Sequence, residues 1–277
     1  MERYIHGGAL TKTRHFSTFR SGVLTGVAIP ALVSGLYYCS LKETHADIQG
    51  WDALLYIYGI FFIPVVFSML VGLNLLVWVR SRVKYTTIFG FDIQDHIDYR
   101  DYFEIPSLLF ATLCLAFWLS FSRIGSTVVS PIIWPIVWLS LTAVILLNPL
   151  PLQYRSSRYW LLRSSGKLFT SFTHRVKFTD FWLADQFCSL IFTLSNLYTF
   201  VCIYVEGFEG DWNHTCASRS NAWPVAFLLA ALPLLIRLAQ SIKRYADSGM
   251  DTHLVNAGEI CNGYRQLSLL FSVATSR

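Results

Sequence analysis

Six apolar runs set the terms for everything else in this chain. Ser21–Tyr38, Leu54–Val79, Phe103–Phe121, Val128–Leu147, Trp182–Val205 and Ala222–Ala239 are each long enough to cross a bilayer as a helix. Composition agrees, since 54% of residues are hydrophobic, 16% aromatic and only 14% charged, where soluble domains carry about 25% charged residues. The expected fold is an all-α polytopic membrane protein with about six transmembrane helices. The second run exceeds what one bilayer needs, which predicts tilt or projection. Residues before the first run are polar and basic, with no small-residue cleavage site behind a short apolar region, so the first span is expected to act as its own targeting signal.

The basic residues divide by side. Arg3, Lys12, Arg14 and Arg20 precede the first span; Arg80, Arg82, Lys84 and Arg100 follow the second. Arg155, Arg158, Arg163, Lys167, Arg175 and Lys177 join the fourth to the fifth, and Lys243, Arg244, Arg265 and Arg277 lie in the tail. The opposite side carries Lys42, Arg123 and Arg219. This asymmetry predicts that both termini are cytoplasmic, and it accounts for the net charge of +5 without a nucleic-acid partner. Cysteines are scattered without a C-x-x-C pair, which argues against a zinc or redox centre. Cys39 and Cys216 fall on the same non-cytoplasmic side and could pair, although spacing does not give connectivity. Asn213-His214-Thr215 is a possible glycosylation sequon on that side.

Within the first span Gly22, Gly26, Pro30 and Gly35 allow close helix contact or a kink, simple packing being the plainer reading; Pro64 and Gly72 in the second invite the same one. Arg80-Ser81-Arg82-Val83-Lys84 suits anionic headgroups. Asp92, Asp95, Asp98 and Asp101 would line one side of a helix; beside His96 they suggest a metal site, but a solvated acidic face is the better reading, so no metal is expected. The third and fourth spans read as a helical hairpin turning near Arg123 and Gly125. Gln153–Lys177 is basic and aromatic with the period of an amphipathic helix lying among lipids at the cytoplasmic surface. The end of the chain shows no pattern, and Leu267–Val273 is too short to span.

Two ionisable residues inside the later spans need a reason. Asp185 lies in the first turns of the fifth run, after Phe181, Trp182 and Leu183. A carboxylate there costs roughly 2.5–3.5 kcal/mol on insertion scales, so it either faces a bundle interior or wet path, or caps the helix among headgroups. Arg237 lies a turn or two from the cytoplasmic end of the sixth run. There it either snorkels or supplies positive potential to an anion path near Asp185. No catalytic arrangement is present, neither a defensible Ser-His-Asp order, nor H-E-x-x-H, nor a glycine-rich phosphate loop, so an enzyme is not expected and no cofactor is implied.

Several motifs occur together and in order: Phe19-Arg20-Ser21-Gly22, Tyr102-Phe103-Glu104-Ile105-Pro106-Ser107, Ala116-Phe117-Trp118-Leu119-Ser120, Asn148-Pro149, Asp180-Phe181-Trp182-Leu183-Ala184-Asp185-Gln186, Lys243-Arg244-Tyr245 and His253-Leu254-Val255-Asn256-Ala257-Gly258. In these the chain resembles the EXS membrane domain of eukaryotic phosphate exporters, a family that includes the xenotropic and polytropic retrovirus receptor, the plant root-to-shoot exporters and the fungal Syg-type proteins. The resemblance implies export of inorganic phosphate from the cytosol, with Asp185 lining the phosphate site, Cys188 at a position that is often Asn in animal members, and Arg237 at a basic position of the family. It also implies an N-terminal SPX sensor domain and further spans bearing paired arginines, neither of which this sequence contains. The expected organisation is a lead-in at 1–20, a partial EXS-type membrane domain at 21–258 and a divergent tail at 259–277, in a shortened form of an exporter. The implied setting is the plasma membrane, with the Golgi as the alternative, where an EXS protein would serve phosphate recycling and enzyme retention. The implied partners are phosphate, lipids and either a second copy or a full-length relative, which a shortened chain would modulate without transporting.

Overall fold

A computed structural model describes residues 2–89, 98–150, 154–216 and 223–275. Among them all regular structure is helical. Four helices are long and apolar enough to cross a membrane, and a fifth crossing is available if one bent pair counts as a span. The chain is therefore an integral, all-α, polytopic membrane protein. It divides into two compact units, Met1–Thr87 with Phe91–Arg158, and Ile88–Gly90 with Tyr159–Arg277.

The first unit contains α1 (Glu2–Cys39), α2 (Trp51–Arg80), α3 (Glu104–Ser122) and α4 (Trp134–Leu147). α1 begins at Glu2, so the lead-in continues the first span as one helix. α3 is the centre of the unit, packing against α1, α2 and α4. Small residues bring α1 and α3 together, with Ala28 and Ala31 against Ala111 and Cys114. Between α2 and α3 the Tyr58 ring meets Phe117 edge-on at 5.1 Å. Its hydroxyl donates to Ser120 Oγ at 2.7 Å, and Ser120 Oγ donates to the Pro131 carbonyl at 3.0 Å. The chain of donors leaves neither buried hydroxyl unsatisfied, as burial requires.

A second polar group sits at the other end of α3. Glu104, which is buried, accepts from Arg20 Nη2 at 2.7 Å and from the Tyr154 hydroxyl at 3.0 Å, while Ser17 Oγ donates to that hydroxyl at 3.2 Å. Burial pushes the Tyr154 phenol above its ordinary range, with the neighbouring Glu104 charge acting in the same direction. The phenol therefore stays a protonated donor. Arg158, expected in a lipid-facing basic belt, is instead buried; its Nη1 donates to the carbonyl of Ile145 and, at 3.4 Å, to that of Leu146. These are last-turn carbonyls of α4 that lack partners within the helix, and a cationic donor suits that end of the helix dipole.

The fourth run is shorter as a helix than as a sequence. Val128 and Val129 are held in a turn by hydrogen bonds to Gly125, Ser130 is extended before Pro131, and helical structure covers Pro131–Leu147 only. A residue preceding proline is driven out of the helical region, which sets that boundary. The hairpin with α3 is retained, since α3 and α4 pack together. Of the acidic row, Asp92, Asp95 and His96 lie outside the described residues, while Asp98 precedes a single helical turn, Tyr99–Tyr102.

The second unit holds most of α5 (Arg155–Leu168), the broken span α6 (Phe178–Ser189), α7 (Ile191–Ser195) and α8 (Leu197–Glu206), and the long pair α9 (Trp223–Ser248) and α10 (Thr252–Thr275). The amphipathic run thus forms a helix over α5 only. The tail, expected to be without pattern, is helical through Thr275 and packs on α9. The fifth run, expected as one helix, bends by 64° at Leu190. No proline or glycine is responsible. Ser189 Oγ donates to the Asp185 carbonyl, Ser195 Oγ and Asn196 Nδ2 both donate to the Phe192 carbonyl, and Leu190 N turns to the Phe187 carbonyl three residues back. Short polar side chains here compete for helix carbonyls.

Cys216 is bonded to Cys202, not to Cys39, which keeps a buried free thiol. The Cys39–Cys216 pairing that the sequence left open is not made: Cys202 on α8 lies 5.6 Å from Cys216, Cα to Cα, an ordinary disulfide span.

A Cβ at Gly35 would stand 2.6 Å from the Phe117 ring and 3.3 Å from the Trp118 backbone, whereas Gly22 and Gly26 have open space. Gly35→Ala is expected to lower thermal stability in detergent by about 1–3 kcal/mol, with Gly22→Ala and Gly26→Ala near neutral. Equal melting temperatures for all three variants would show that α1 does not seat on α3 through Gly35.

Candidate functional site

The start of α6 is held by its own acid. Lys177 N donates to Asp180 Oδ2 at 2.8 Å, which satisfies a backbone donor where the helix begins, and His174 Nε2 lies 3.7 Å from the same oxygen. Thr179 Oγ1 donates to the Phe89 carbonyl at 2.8 Å, and the Phe89 ring packs against Phe178 and Trp182. These contacts fix the rotation of α6, and with it the face bearing Phe181 and Asp185, four residues apart and so one above the other.

α9 meets that face with residues of matching spacing. Arg237 Nε lies 2.6 Å from Asp185 Oδ1. The Arg237 side chain is 14% exposed and that of Asp185 is 53% exposed, so the pair has one buried and one wet partner. Two guanidinium groups share the Phe181 ring, Arg237 at 4.8 Å and Arg244 at 5.1 Å from its centroid. Such stacking holds a planar cation without consuming its in-plane donors. Farther along, Gln240, fully buried, donates through Nε2 to the Asp180 carbonyl at 3.2 Å and to Ser171 Oγ at 3.4 Å.

The site is under-satisfied. Among the described residues, Arg237 Nη1, Gln240 Oε1 and Ser241 Oγ on α9, with His174 Nε2 and His253 Nε2, are buried polar atoms of this unit without a hydrogen-bond partner. Residues 237, 240, 241 and 244 fall on one side of a helix. The arrangement is a polar stripe inside an apolar span, with a spare buried cationic donor beside a half-exposed carboxylate.

Of the residues singled out in the sequence, Asp185 and Arg237 are brought into direct contact. Cys188 is half-buried with a free thiol one turn beyond Asp185. Asn213 is elsewhere, exposed on the turn Trp212–Thr215, three residues before the disulfide-bonded Cys216. Phe181, Gln240 and Arg244 were not anticipated as part of the site. A signal for them exists in the spacing, since Gln240, Ser241 and Arg244 follow Arg237 by three, four and seven residues. No group of three or more His, Cys, Asp or Glu side chains able to hold a metal ion occurs among the described residues.

A family model described as the EXS family matches residues 54–271. The chain is 30% identical over 264 residues to solute carrier family 53 member 1 of Mus terricolor, which covers 91% of this chain and 37% of that protein. It is 30% identical over 269 residues to the xenotropic and polytropic retrovirus receptor 1 homolog of Danio rerio, covering 91% and 38%. It is 29% identical over 258 residues to the protein SYG1 homolog of Schizosaccharomyces pombe, covering 91% and 36%. The chain thus spans little more than a third of the length of these relatives.

The unequal burial of the ion pair predicts an unequal response to its removal. Asp185→Ala strands the buried Arg237 and is expected to cost about 1–3 kcal/mol, while Arg237→Met leaves a carboxylate that water already reaches and costs less. Thermal unfolding of both variants in one detergent measures the difference, and a larger loss for Arg237→Met would contradict it.

Proposed function

The chain belongs to the EXS family, and on that premise we propose that it forms part of a membrane path that carries inorganic phosphate out of the cytosol. Asp185, Cys188 and Arg237 contact the ion in this reading. The observation that supports it is the pairing of Arg237 with Asp185 beside a broken span, with Arg237 Nη1 left over as a buried donor. Ionisable groups inside spans mark ion paths by default, and discontinuous helices recur at transporter sites. Arg237 supplies a planar fork of donors suited to a phosphate oxyanion. Asp185, which would repel a bare anion, accepts a hydrogen bond from a phosphate hydroxyl once Arg237 has offset its charge. Cys188 contributes a weak donor one turn away. The chemistry is non-covalent, movement through a gated or alternating path rather than an enzymatic reaction.

In this reading both termini are cytoplasmic, which the charge asymmetry of the connections supports and which counts the shorter helix α4 as a further crossing beside the broken span. The same reading places the turn bearing Asn213, and the Cys202–Cys216 disulfide beside it, on the oxidising side.

Two measurements test the proposal. In cells loaded with radiolabelled phosphate and lacking other exporters, expression of the chain is expected to raise efflux. Asp185→Ala and Arg237→Ala should each lower that increment by roughly ten- to a hundredfold, the effect of losing a charged hydrogen bond of about 1.5–3 kcal/mol, and Lys243→Ala, paired with Asp247 on the same helix, should not. Efflux unaffected by either site substitution would sink the assignment. For orientation, Asn213→Gln is expected to abolish a glycosidase-sensitive mass shift, and modification of an engineered sequon in the Lys84 region instead would invert the topology.

A further inference from the structure

We infer that Gln240 determines which oxyanions the path accepts, its buried amide oxygen admitting one that carries a proton and rejecting one that does not; this rests on the phosphate reading above. The orientation of the amide is fixed by its partners. The Asp180 carbonyl can only accept, and Ser171 Oγ spends its own proton on the Leu168 carbonyl at 2.6 Å, so the nitrogen of Gln240 faces both and the oxygen is the free end. That oxygen is buried, has no partner, and is an acceptor only. One turn earlier on the same helix, Arg237 Nη1 is buried, has no partner, and is a donor only.

A ligand that satisfies both atoms needs an oxygen acceptor for the guanidinium and a hydroxyl donor for the amide. Hydrogen phosphate and hydrogen arsenate have both. Sulfate at neutral pH has no proton to donate, and its oxygen would stand against the Gln240 carbonyl lone pairs with neither group satisfied. A site built to receive a substrate hydroxyl discriminates strongly against the analogue that lacks it, because the buried acceptor is then left unpaired. Asp185 also accepts, but it is half exposed and already bonded to Arg237, so water can replace what a ligand withholds there. Gln240 is fully buried and has no such recourse.

The test is competitive binding to the purified full chain in detergent, using phosphate, arsenate and sulfate at mildly alkaline pH, where hydrogen phosphate and sulfate carry the same charge. Phosphate and arsenate are expected to bind within about threefold of each other and sulfate at least about tenfold more weakly. Gln240→Met, which keeps side-chain volume while removing the amide, should bring sulfate to within about threefold of phosphate. Ser171→Ala removes a partner of the amide nitrogen and leaves the oxygen alone, so its selectivity should match the wild type. Wild-type protein that binds sulfate as well as phosphate overturns the inference without recourse to any variant. So does phosphate binding with an unchanged ratio in Gln240→Met, or an equal loss of selectivity in Ser171→Ala; in both cases the phosphate reading survives. Binding of none of the three ions removes the phosphate reading and the inference together.

Discussion

A charge placed inside a membrane span must find a partner within the protein, and the contact between Arg237 and Asp185 is where this chain meets that demand. Arg237, the less exposed of the two, is the one that depends on the pair. Together they dictate how α6 and α9 face each other, and Gln240 repeats the constraint one turn on by reaching the Asp180 carbonyl. The stacking of two guanidinium groups on Phe181 then follows from geometry, since Phe181 precedes Asp185 by four residues and Arg244 follows Arg237 by seven. Five side chains on two helices thus make a polar seam with little freedom to slide.

The first unit solves the same problem with a different chemistry. Its buried acid, Glu104, is neutralised by Arg20 and further satisfied by Tyr154, and its buried hydroxyls are chained from Tyr58 through Ser120 to a carbonyl. There the polar atoms named are matched donor to acceptor. Matching is not complete there either, since Ser21 Oγ and Thr142 Oγ1 are buried without a partner, but the donors and acceptors left unspent on α9 stand beside an ion pair.

The helical class, and the need of Asp185 and Arg237 for a partner, were legible in the sequence because charges in apolar runs are rare and each needs a reason. Their mutual contact was legible as a tendency only, since spacing within one helix says nothing about rotation against another. The break at Leu190 was not visible, because it arises from serine and asparagine side chains bonding to carbonyls, and such residues are equally common in unbroken spans. Arg158 was misread because a basic residue between two spans suits lipid headgroups and a helix C-terminus alike, and only tertiary structure separates the two. Gln240 escaped notice since an uncharged amide carries little penalty in a hydropathy reading, although its period with Arg237 was in plain view. The disulfide partner of Cys216 was not legible because spacing does not give connectivity, and Cys202 lies inside an apolar run rather than in a connection.

That disulfide also divides the broken span by the kind of bond that holds it. α8 is tied covalently to the loop that follows it, whereas α6, beyond the bend, keeps its place through non-covalent contacts, among them those of Asp180, Thr179, Phe181 and Asp185. Reduction would therefore act on one limb only: it would release the loop from α8, while the contacts that seat α6 against α9 contain no covalent link to lose.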